Sequence, residues 1–219
     1  MIKALIFDVG GVLCLTKDIA KRDGKNLLTS YKEVCSLMKD IGESSESVYE
    51  NTIDIYKKSS IGEISKEETL KLYSEKFNMS PEKMEESFRG VYEENTIRND
   101  ELYKFVVGLK TKGYKLAILS TQFHLSKEIL IPQKYYNDFD ALEISCDDGL
   151  KKPHEKTFRA ILDKLKIKPE EGLFVDDKQE NLDAAEALGM KSLIFKTNGQ
   201  FIGDITKLFE ESESVRKEK

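Results

Sequence analysis

Four groups of residues could take part in catalysis or ligand binding, and three of them directly follow an apolar run in the sequence. They are Asp8 with Gly10 and Gly11, Ser120 with Thr121, Lys152, and the pair Asp176 and Asp177. An aspartate can act as a nucleophile or a metal ligand, hydroxyls can hold a phosphoryl oxygen, and a lysine can neutralise an anion. Two adjacent carboxylates repel each other unless a cation compensates, so the acidic pair indicates a metal site.

Each of these residues also has an ordinary structural interpretation. An Asp after a strand often caps a turn or helix, Ser and Thr commonly end strands as turn residues, and most lysines are solvated. The adjacent carboxylates could be helix caps. The order of the four groups along the chain is more specific than any one of them.

The elements that must position these residues are indicated by hydrophobic periodicity. Apolar runs at residues 4–7, 115–119, 173–175 and 192–195, with a weaker run at 141–145, are typical of buried parallel strands. Helical patterns at 99–112, 154–165 and 181–188 lie between them. We therefore predict an α/β fold with a Rossmann-like parallel sheet flanked by helices, in which ligands bind at the carboxyl edge of the strands.

Residues 16–95 have a different character from the rest of the chain. They contain helical patterns at 27–38, 48–57, 66–77 and 81–92 and no convincing strand. We predict a small α-helical domain over 16–95, inserted in a core domain formed by 1–15 and 96–210. The residues 211–219 are charged and poor in apolar side chains, and we predict a frayed tail there.

Composition narrows the range of partners and compartments. The 219 residues carry a net charge of −5, with 39% hydrophobic and 34% charged residues. No basic stripe that would attract nucleic acid appears, and no apolar run is long enough to span a membrane or resembles a signal peptide. Three scattered cysteines, which lack metal-ligand spacing, indicate free thiols and a cytoplasmic protein.

The order of the motifs resembles that of the haloacid dehalogenase-like (HAD) superfamily, and the resemblance covers nearly the whole chain. The predicted helical insert matches the family's cap domain, which follows the first motif. The matching segments are Phe7-Asp8-Val9-Gly10-Gly11-Val12-Leu13, Leu119-Ser120-Thr121, Gly149-Leu150-Lys151-Lys152-Pro153, Phe174-Val175-Asp176-Asp177 and Asn181-Leu182-Asp183-Ala184-Ala185.

This resemblance implies an Mg²⁺-dependent phosphatase that acts on a small phosphate ester. Asp8 would be the nucleophile, forming an aspartyl-phosphate, with Ser120 and Lys152 as the other catalytic residues. The Mg²⁺ would be held by the Asp8 carboxylate, the Gly10 carbonyl and Asp177, with Asp176 as a ligand or a partner of a ligand. The residues implied in substrate binding are Gly11, Ser120, Thr121 and Lys152.

Two positions depart from the family pattern. Gly10 stands where phosphatases of the family usually carry a second Asp, the general acid and base, which is typically worth about 10²–10⁴-fold in rate. A phosphatase without it should be slow, take its proton from elsewhere, or prefer a good leaving group, such as that of a sugar 1-phosphate. Thr121 stands where the family often has Asn.

Alternative functions remain open at this point. The chain could be a binding or regulatory protein that kept the fold and lost turnover, or a metal-independent 2-haloacid dehalogenase. The Asp176-Asp177 pair argues against the dehalogenase, because that chemistry needs no metal. His124 and His154 could lie near the mouth of the site or be ordinary surface histidines. The sequence leaves the choice of phosphate ester and the oligomeric state open.

Overall fold

A computed structural model describes residues 1–17, 31–38 and 42–217. Its seven strands are β1 (Ala4–Phe7), β2 (Cys14–Thr16), β3 (Thr96–Arg98), β4 (Lys115–Ser120), β5 (Ala141–Ile144), β6 (Gly172–Asp176) and β7 (Lys191–Ile194). Five of them form a parallel sheet in the order β5-β4-β1-β6-β7. The predicted Rossmann-like α/β fold is confirmed, with each predicted strand of the sheet found within one or two residues of its expected bounds.

Among the described residues, the helices up to residue 95 lie between β2 and β3, and those after residue 98 alternate with the strands of the sheet. The helices are α1 (Tyr31–Leu37), α2 (Ser45–Ser60), α3 (Lys66–Phe77), α4 (Pro81–Asn95), α5 (Asp100–Gly108), α6 (His124–Leu130), α7 (Gln133–Asp138), α8 (Ser145–Asp148), α9 (Glu155–Leu165), α10 (Gln179–Ala187) and α11 (Asn198–Lys217). The helix predicted over 99–112 divides into α5 and a 3-10 turn at Leu109–Lys112, because the last turn tightens before Gly113 at φ +87°.

The central strand β1 is buried on both faces, which explains its uninterrupted apolar sequence. Ile6 pairs in register with Ala117 of β4 on one side and with Phe174 of β6 on the other. The ring of Phe7 contacts that of Phe201 on α11, with centroids 5.8 Å apart. The strand is therefore fixed from both neighbours and from a helix, and the residue that follows it is held in place.

Helices α1 to α4, called the helical segment below, are joined to the sheet by a two-stranded ribbon. Strands β2 and β3 pair antiparallel, with Cys14 opposite Arg98 and Thr16 opposite Thr96. Both are only three residues long, too short to show the alternation that predicts a strand. The ribbon lies where we predicted the chain to leave and re-enter the core domain, and the division into core and cap stays a prediction.

Capping residues in this helical segment explain where its helices begin. The side chains of Ser44, Ser65 and Ser80 each accept a hydrogen bond from the backbone N–H three residues later. The predicted helices at 48–57, 66–77 and 81–92 correspond to α2, α3 and α4. Of the predicted helix at 27–38, only the part from residue 31 is described, and residues 18–30 and 39–41 of the predicted 16–95 domain lie outside the described residues.

Aromatic side chains pack the helical segment against the sheet domain. Phe88 of α4 and Tyr56 of α2 both contact Phe123, with ring centroids 5.5 Å and 5.1 Å apart. Phe123 is 1% exposed and precedes α6. The segment thus shares one hydrophobic core with side chains of β1, β4 and β6.

The C-terminal helix differs from the prediction of a frayed tail at 211–219. The helix α11 continues to Lys217, so residues 211–217 are helical and the predicted tail is corrected there. Glu, Lys and Arg, which are abundant in this stretch, favour the helical conformation and allow α11 to extend past its apolar part. Residues 218 and 219 lie outside the described residues. Within the described ranges, no helix is long and apolar enough to cross a membrane.

Candidate functional site

The polar residues singled out by the sequence meet at the carboxyl edge of the sheet. Asp8 follows β1, Ser120 is the last residue of β4, and Asp176 is the last residue of β6. Because β4, β1 and β6 are neighbouring parallel strands, all three side chains stand at the same edge. The sheet order, which the sequence does not specify, brings them into one site.

The carboxylate of Asp8 is held on one of its two oxygens. Oδ1 accepts hydrogen bonds from the backbone N–H of Val9 (2.6 Å) and from the Ser120 hydroxyl (3.0 Å). The Nζ of Lys152 lies 2.9 Å from the same oxygen. Among the described residues no hydrogen bond or ion pair falls on Oδ2, so that oxygen is available to a ligand.

Lys152 joins two buried carboxylates. Its Nζ is 2.6 Å from Asp176 Oδ2 and 2.9 Å from Asp8 Oδ1, and its side chain is 3% exposed. Asp176 also accepts hydrogen bonds from the Asn181 side chain and from the Lys178 backbone N–H. Burial alone would lower the pKa of Lys152, but the charges of Asp176 and Asp8 outweigh burial and raise that pKa, so Lys152 stays cationic.

The three acidic side chains form a compact donor set. One carboxylate oxygen from each of Asp8, Asp176 and Asp177 lies within 4.8 Å of the others. Burial raises the pKa of Asp8 against the opposing effect of Lys152, and burial with repulsion from Asp8 and Asp176 raises the pKa of Asp177 to about 7. Clustered carboxylates that resist ionisation fit a hard divalent cation such as Mg²⁺, which binds oxygen ligands and offsets their repulsion.

A cavity of about 160 Å³ opens over this cluster. Its wall combines residues of the site with side chains that sequence reasoning did not select. The lining residues are Asp8, Gly10, Tyr56, Thr121, Gln122, Lys152, Lys178, Glu180 and Asn181.

Gln122 is the best-connected of the residues that were missed. Its Nε2 donates to the Ser120 hydroxyl (3.0 Å), and its Oε1 accepts from the Ser126 hydroxyl (2.7 Å). Its backbone N–H donates to Ser145 Oγ at 3.0 Å, and Gln122 is 7% exposed. The amide therefore fixes the orientation of Ser120, which itself contacts Asp8. Only its position two residues after Ser120 could have indicated it in the sequence.

Tyr56 and Glu180 were also missed, for different reasons. Tyr56 reaches the cavity from α2, and its ring stacks on that of Tyr31 with centroids 4.2 Å apart. Its helix is remote from the motifs along the chain, so no spacing could indicate it. Glu180 stands in the first turn of α10 directly before Asn181, where an exposed acidic residue is expected on helix grounds alone.

Two predicted substrate residues differ in their placement. Thr121 lines the cavity, and its buried hydroxyl oxygen makes no hydrogen bond within the described ranges. Gly11 adopts φ +83° in a tight turn, where its N–H donates to the Cys14 carbonyl at 2.8 Å, and it is not among the cavity-lining residues of the described chain. A substrate contact by Gly11 therefore stays a prediction.

The two histidines lie away from the cavity wall formed by the described residues. His154 is exposed and caps α9, where its Nδ1 accepts the N–H of Lys156 at 3.2 Å. His124 is half-buried between α6 and the helical segment, and its backbone N–H donates to Ser59 Oγ at 3.2 Å. For His154 the ordinary structural interpretation, a helix cap, accounts for the contact of its side chain.

Comparison with known proteins agrees with the fold and the motifs. The chain matches the haloacid dehalogenase-like hydrolase family over residues 2–189. The chain belongs to this family of hydrolases, as the sequence predicts.

Several characterised proteins share part of this sequence. The chain is 35% identical over 86 residues to the mouse acyl-CoA dehydrogenase family member 10, covering 39% of this chain and 8% of that protein. It is 32% identical over 95 residues to the glyceraldehyde 3-phosphate phosphatase of Pyrococcus furiosus, covering 42% and 40%. It is 30% identical over 118 residues to the pyrophosphatase PpaX of Bacillus cereus, covering 50% and 55%. The chain thus spans at most 55% of the length of these three relatives.

Solved structures resemble the chain over most of its length. A HAD-like family hydrolase of Porphyromonas gingivalis superposes with a TM-score of 0.73 at 24% identity, covering 95% of this chain and 98% of that one. A HAD family enzyme of Bacteroides thetaiotaomicron, solved with magnesium and inorganic phosphate, gives a TM-score of 0.71 at 19% identity, covering 90% and 96%. At these identities the likeness establishes the fold.

Proposed function

We propose that this protein is an Mg²⁺-dependent phosphatase that hydrolyses a small phosphate ester through an aspartyl-phosphate on Asp8. The observation that carries the proposal is the arrangement around Asp8. Asp8 Oδ1 contacts the Nζ of Lys152 (2.9 Å) and the hydroxyl of Ser120 (3.0 Å), whereas Oδ2 makes neither contact. A carboxylate held in this way, at the carboxyl edge of a parallel sheet, is suited to nucleophilic attack on a ligand bound in the cavity.

The reaction begins when Asp8 Oδ2 forms a bond to phosphorus and the bond from phosphorus to the ester oxygen breaks. The leaving oxygen takes a proton, and water then attacks phosphorus to release phosphate and restore the carboxylate. Lys152 offsets the negative charge that accumulates on the phosphoryl group. The Ser120 hydroxyl, whose single proton is donated to Asp8 Oδ1 in the structure, turns to donate it to a phosphoryl oxygen. The buried Thr121 hydroxyl supplies a second donor on the cavity wall.

The carboxylate cluster supports the choice of cation. A bound Mg²⁺ would screen the repulsion between an anionic nucleophile and an anionic phosphate. Asp8, Asp177 and the Gly10 carbonyl are the residues that would hold it. Asp176 was predicted as a ligand or a partner, and its hydrogen bonds favour the second role, because both of its oxygens are occupied by Lys152, Asn181 and the Lys178 backbone.

The absence of a general acid at Gly10 limits which leaving groups the enzyme can accept. The side chains of Tyr56, Lys178 and Glu180 also line the cavity. Burial raises the pKa of Tyr56, so its phenol stays protonated and can donate a hydrogen bond, but it is a weak acid that does not replace the missing Asp. Without a dedicated acid beside Asp8, we expect substrates whose leaving oxygen is a weak base, and sugar phosphates linked through the anomeric oxygen meet this requirement.

The relatives support a phosphatase over the two alternatives. Two of the three curated relatives are named as a phosphatase and a pyrophosphatase, and one structural neighbour was solved with magnesium and phosphate. A 2-haloacid dehalogenase has no use for a cluster of three carboxylates. A binding protein without turnover remains the alternative that the experiment must test, since Gly10 and Thr121, the two departures from the family pattern, favour it.

The test is hydrolysis of para-nitrophenyl phosphate with Mg²⁺ and with a chelator, by wild type and by Asp8→Asn. The nitrophenolate leaves without a proton, so the reaction does not depend on an acid at position 10. We expect metal-dependent turnover that is lost in Asp8→Asn. Retained Mg²⁺ binding without turnover in the wild type would favour the binding protein, and full activity of Asp8→Asn would refute the proposed nucleophile.

A further inference from the structure

A second group of metal-ligating side chains lies outside the catalytic cluster. His124 at the start of α6 and two consecutive residues of α8, Cys146 and Asp147, bring a nitrogen, a sulfur and an oxygen within 4.8 Å of one another. Cys146 Sγ lies 4.0 Å from Asp147 Oδ1, and Cys146 is 2% exposed. We propose that these three residues form a binding site for a thiophilic divalent cation, of which Zn²⁺ is the best match.

The chemistry of the donors selects the kind of ion. Imidazole and thiolate ligands suit Zn²⁺ and disfavour Mg²⁺ or Ca²⁺, which take oxygen ligands almost exclusively. Zinc with three protein ligands keeps a fourth position for water. Zinc ligands about 2.0–2.3 Å from the ion stand roughly 3.3–3.8 Å apart, so small side-chain rotations would close the present spacing. The Cys146 thiol releases its proton to solvent as the sulfur–zinc bond forms.

The surroundings of His124 bear on how its ring would meet a metal ion. The imidazole lies near the backbone carbonyl of Ile64 in the helical segment. A histidine that donates one ring N–H to a carbonyl keeps its other nitrogen as an acceptor, which is the tautomer and orientation that metal-binding histidines commonly show. The backbone of the same residue is fixed by Ser59.

The ammonium group of Lys127 pairs with one of the three proposed ligands, Asp147. Its Nζ lies 2.7 Å from Asp147 Oδ1, and its side chain is 24% exposed. A divalent ion would compete with this ammonium for the carboxylate, and the lysine can swing into solvent because it is partly exposed already. The pairing therefore weakens the site without blocking it, and it makes Lys127 a position where substitution should strengthen binding.

A metal ion at this site would restrain the loop that follows Ser120 and contains Gln122. Cys146 directly follows Ser145, whose hydroxyl accepts the backbone N–H of Gln122 at 3.0 Å. His124 is two residues from Gln122 on the other side. A metal joining α6 to α8 would restrain the segment that presents Ser120 and Gln122 to the cavity, and the inference does not depend on what that cavity hydrolyses.

The experiment uses the full chain saturated with Mg²⁺, so that the catalytic carboxylates are already occupied. Two ions are then used as probes: Zn²⁺ binding is measured by calorimetry, and Co²⁺ binding by absorption spectroscopy. We expect one equivalent of Zn²⁺ and a thiolate-to-cobalt charge-transfer band. His124→Ala and Asp147→Asn should each weaken Zn²⁺ binding at least about tenfold, the loss typical of perturbing a metal site. Cys146→Ser should abolish the charge-transfer band, and Lys127→Gln should tighten binding.

Matched controls come from the same chain. Cys14→Ser removes another buried thiol, and His154→Ala removes the second of the two histidines, and neither should change the affinity. If Cys146→Ser does not fold, His124→Ala and Asp147→Asn still decide the matter, because neither residue is fully buried. Binding that is unchanged in both of these variants, or cobalt bound without a thiolate band, would overturn the proposal.

Discussion

Replacing Lys152 with methionine removes the cation that two buried carboxylates share. The Lys152 side chain is 3% exposed, and Asp176, its partner at 2.6 Å, is fully buried. Removing one member of a buried ion pair typically costs about 3–5 kcal/mol, because the remaining charge has neither water nor a partner. For a domain of this length that loss corresponds to a melting temperature lower by about 6–20 °C.

The pH dependence of this loss follows from the carboxylates that remain. Burial already raises the folded-state pKa of Asp8 and the charge of Lys152 opposes this, so loss of Lys152 should raise the pKa of Asp8 further above that of the unfolded chain. An acid with a raised folded-state pKa destabilises the fold as pH rises through that range. The variant should therefore be closer to wild type at pH 5 than at pH 8, and Mg²⁺ should recover part of the difference at pH 8.

The assay combines thermal unfolding in a chelator at both pH values with hydrolysis of para-nitrophenyl phosphate in Mg²⁺. Loss of the ammonium from the transition state should lower kcat by about 10²–10³-fold, the range seen when one preorganised electrostatic donor is removed. The two readouts separate a folding defect from a defect in chemistry.

Lys66→Met is the matched control. Lys66 also bridges two carboxylates, Glu85 at 3.0 Å and Glu128 at 2.8 Å, but all three side chains are partly exposed and lie outside the cavity wall. The variant should lose less stability, because water can replace the ammonium, and it should keep full activity. Wild-type stability of Lys152→Met at pH 8 in chelator, together with undiminished kcat, would refute the reasoning about this bridge.

Three further outcomes are expected. Because the pKa of Asp177 is raised to about 7 from 3.8, the metal-free fold loses stability as pH rises across that window, and Mg²⁺ should raise the melting temperature more at pH 8 than at pH 6; equal shifts would contradict this. Gln122→Leu should lower kcat/KM about tenfold by loss of the hydrogen bond to Ser120, with little effect from the surface variant Gln133→Leu. Gly10→Asp should increase hydrolysis of an alkyl phosphate, by up to about 10²–10⁴-fold, far more than that of para-nitrophenyl phosphate; equal gains would argue against a missing acid.

Much of the sheet could be predicted from the sequence, for an identifiable physical reason. A strand covered on both faces must be apolar throughout, so β1 at Ala4–Phe7 stands out without any alignment. The reactive residues follow such runs because they emerge where the strand leaves the core. Asp8, Ser120 and Asp176 were found in this way, and their meeting point required only that the strands be parallel and adjacent.

The rest of the candidate site depends on contacts that spacing does not encode. Gln122 belongs to the site through hydrogen bonds to Ser120 and Ser126, and a Gln after a strand is otherwise an ordinary surface residue. Tyr56 lies more than 40 residues from the nearest motif and enters only because α2 packs beside Phe123. His124 and Cys146 are far apart in the sequence, and metal-ligand patterns are recognised by short spacings. The sequence therefore did not indicate that the two side chains are close in space.

Direct detection of the covalent intermediate tests the central claim most closely. The protein would be mixed with substrate and Mg²⁺, quenched, and treated with borohydride, which reduces an acyl-phosphate at an aspartate to homoserine. Peptide mass spectrometry should then find homoserine at position 8 in the wild type and none in Asp8→Asn or without substrate. Rapid turnover with an unmodified Asp8 in every quenched sample, or homoserine at another aspartate, would contradict the account.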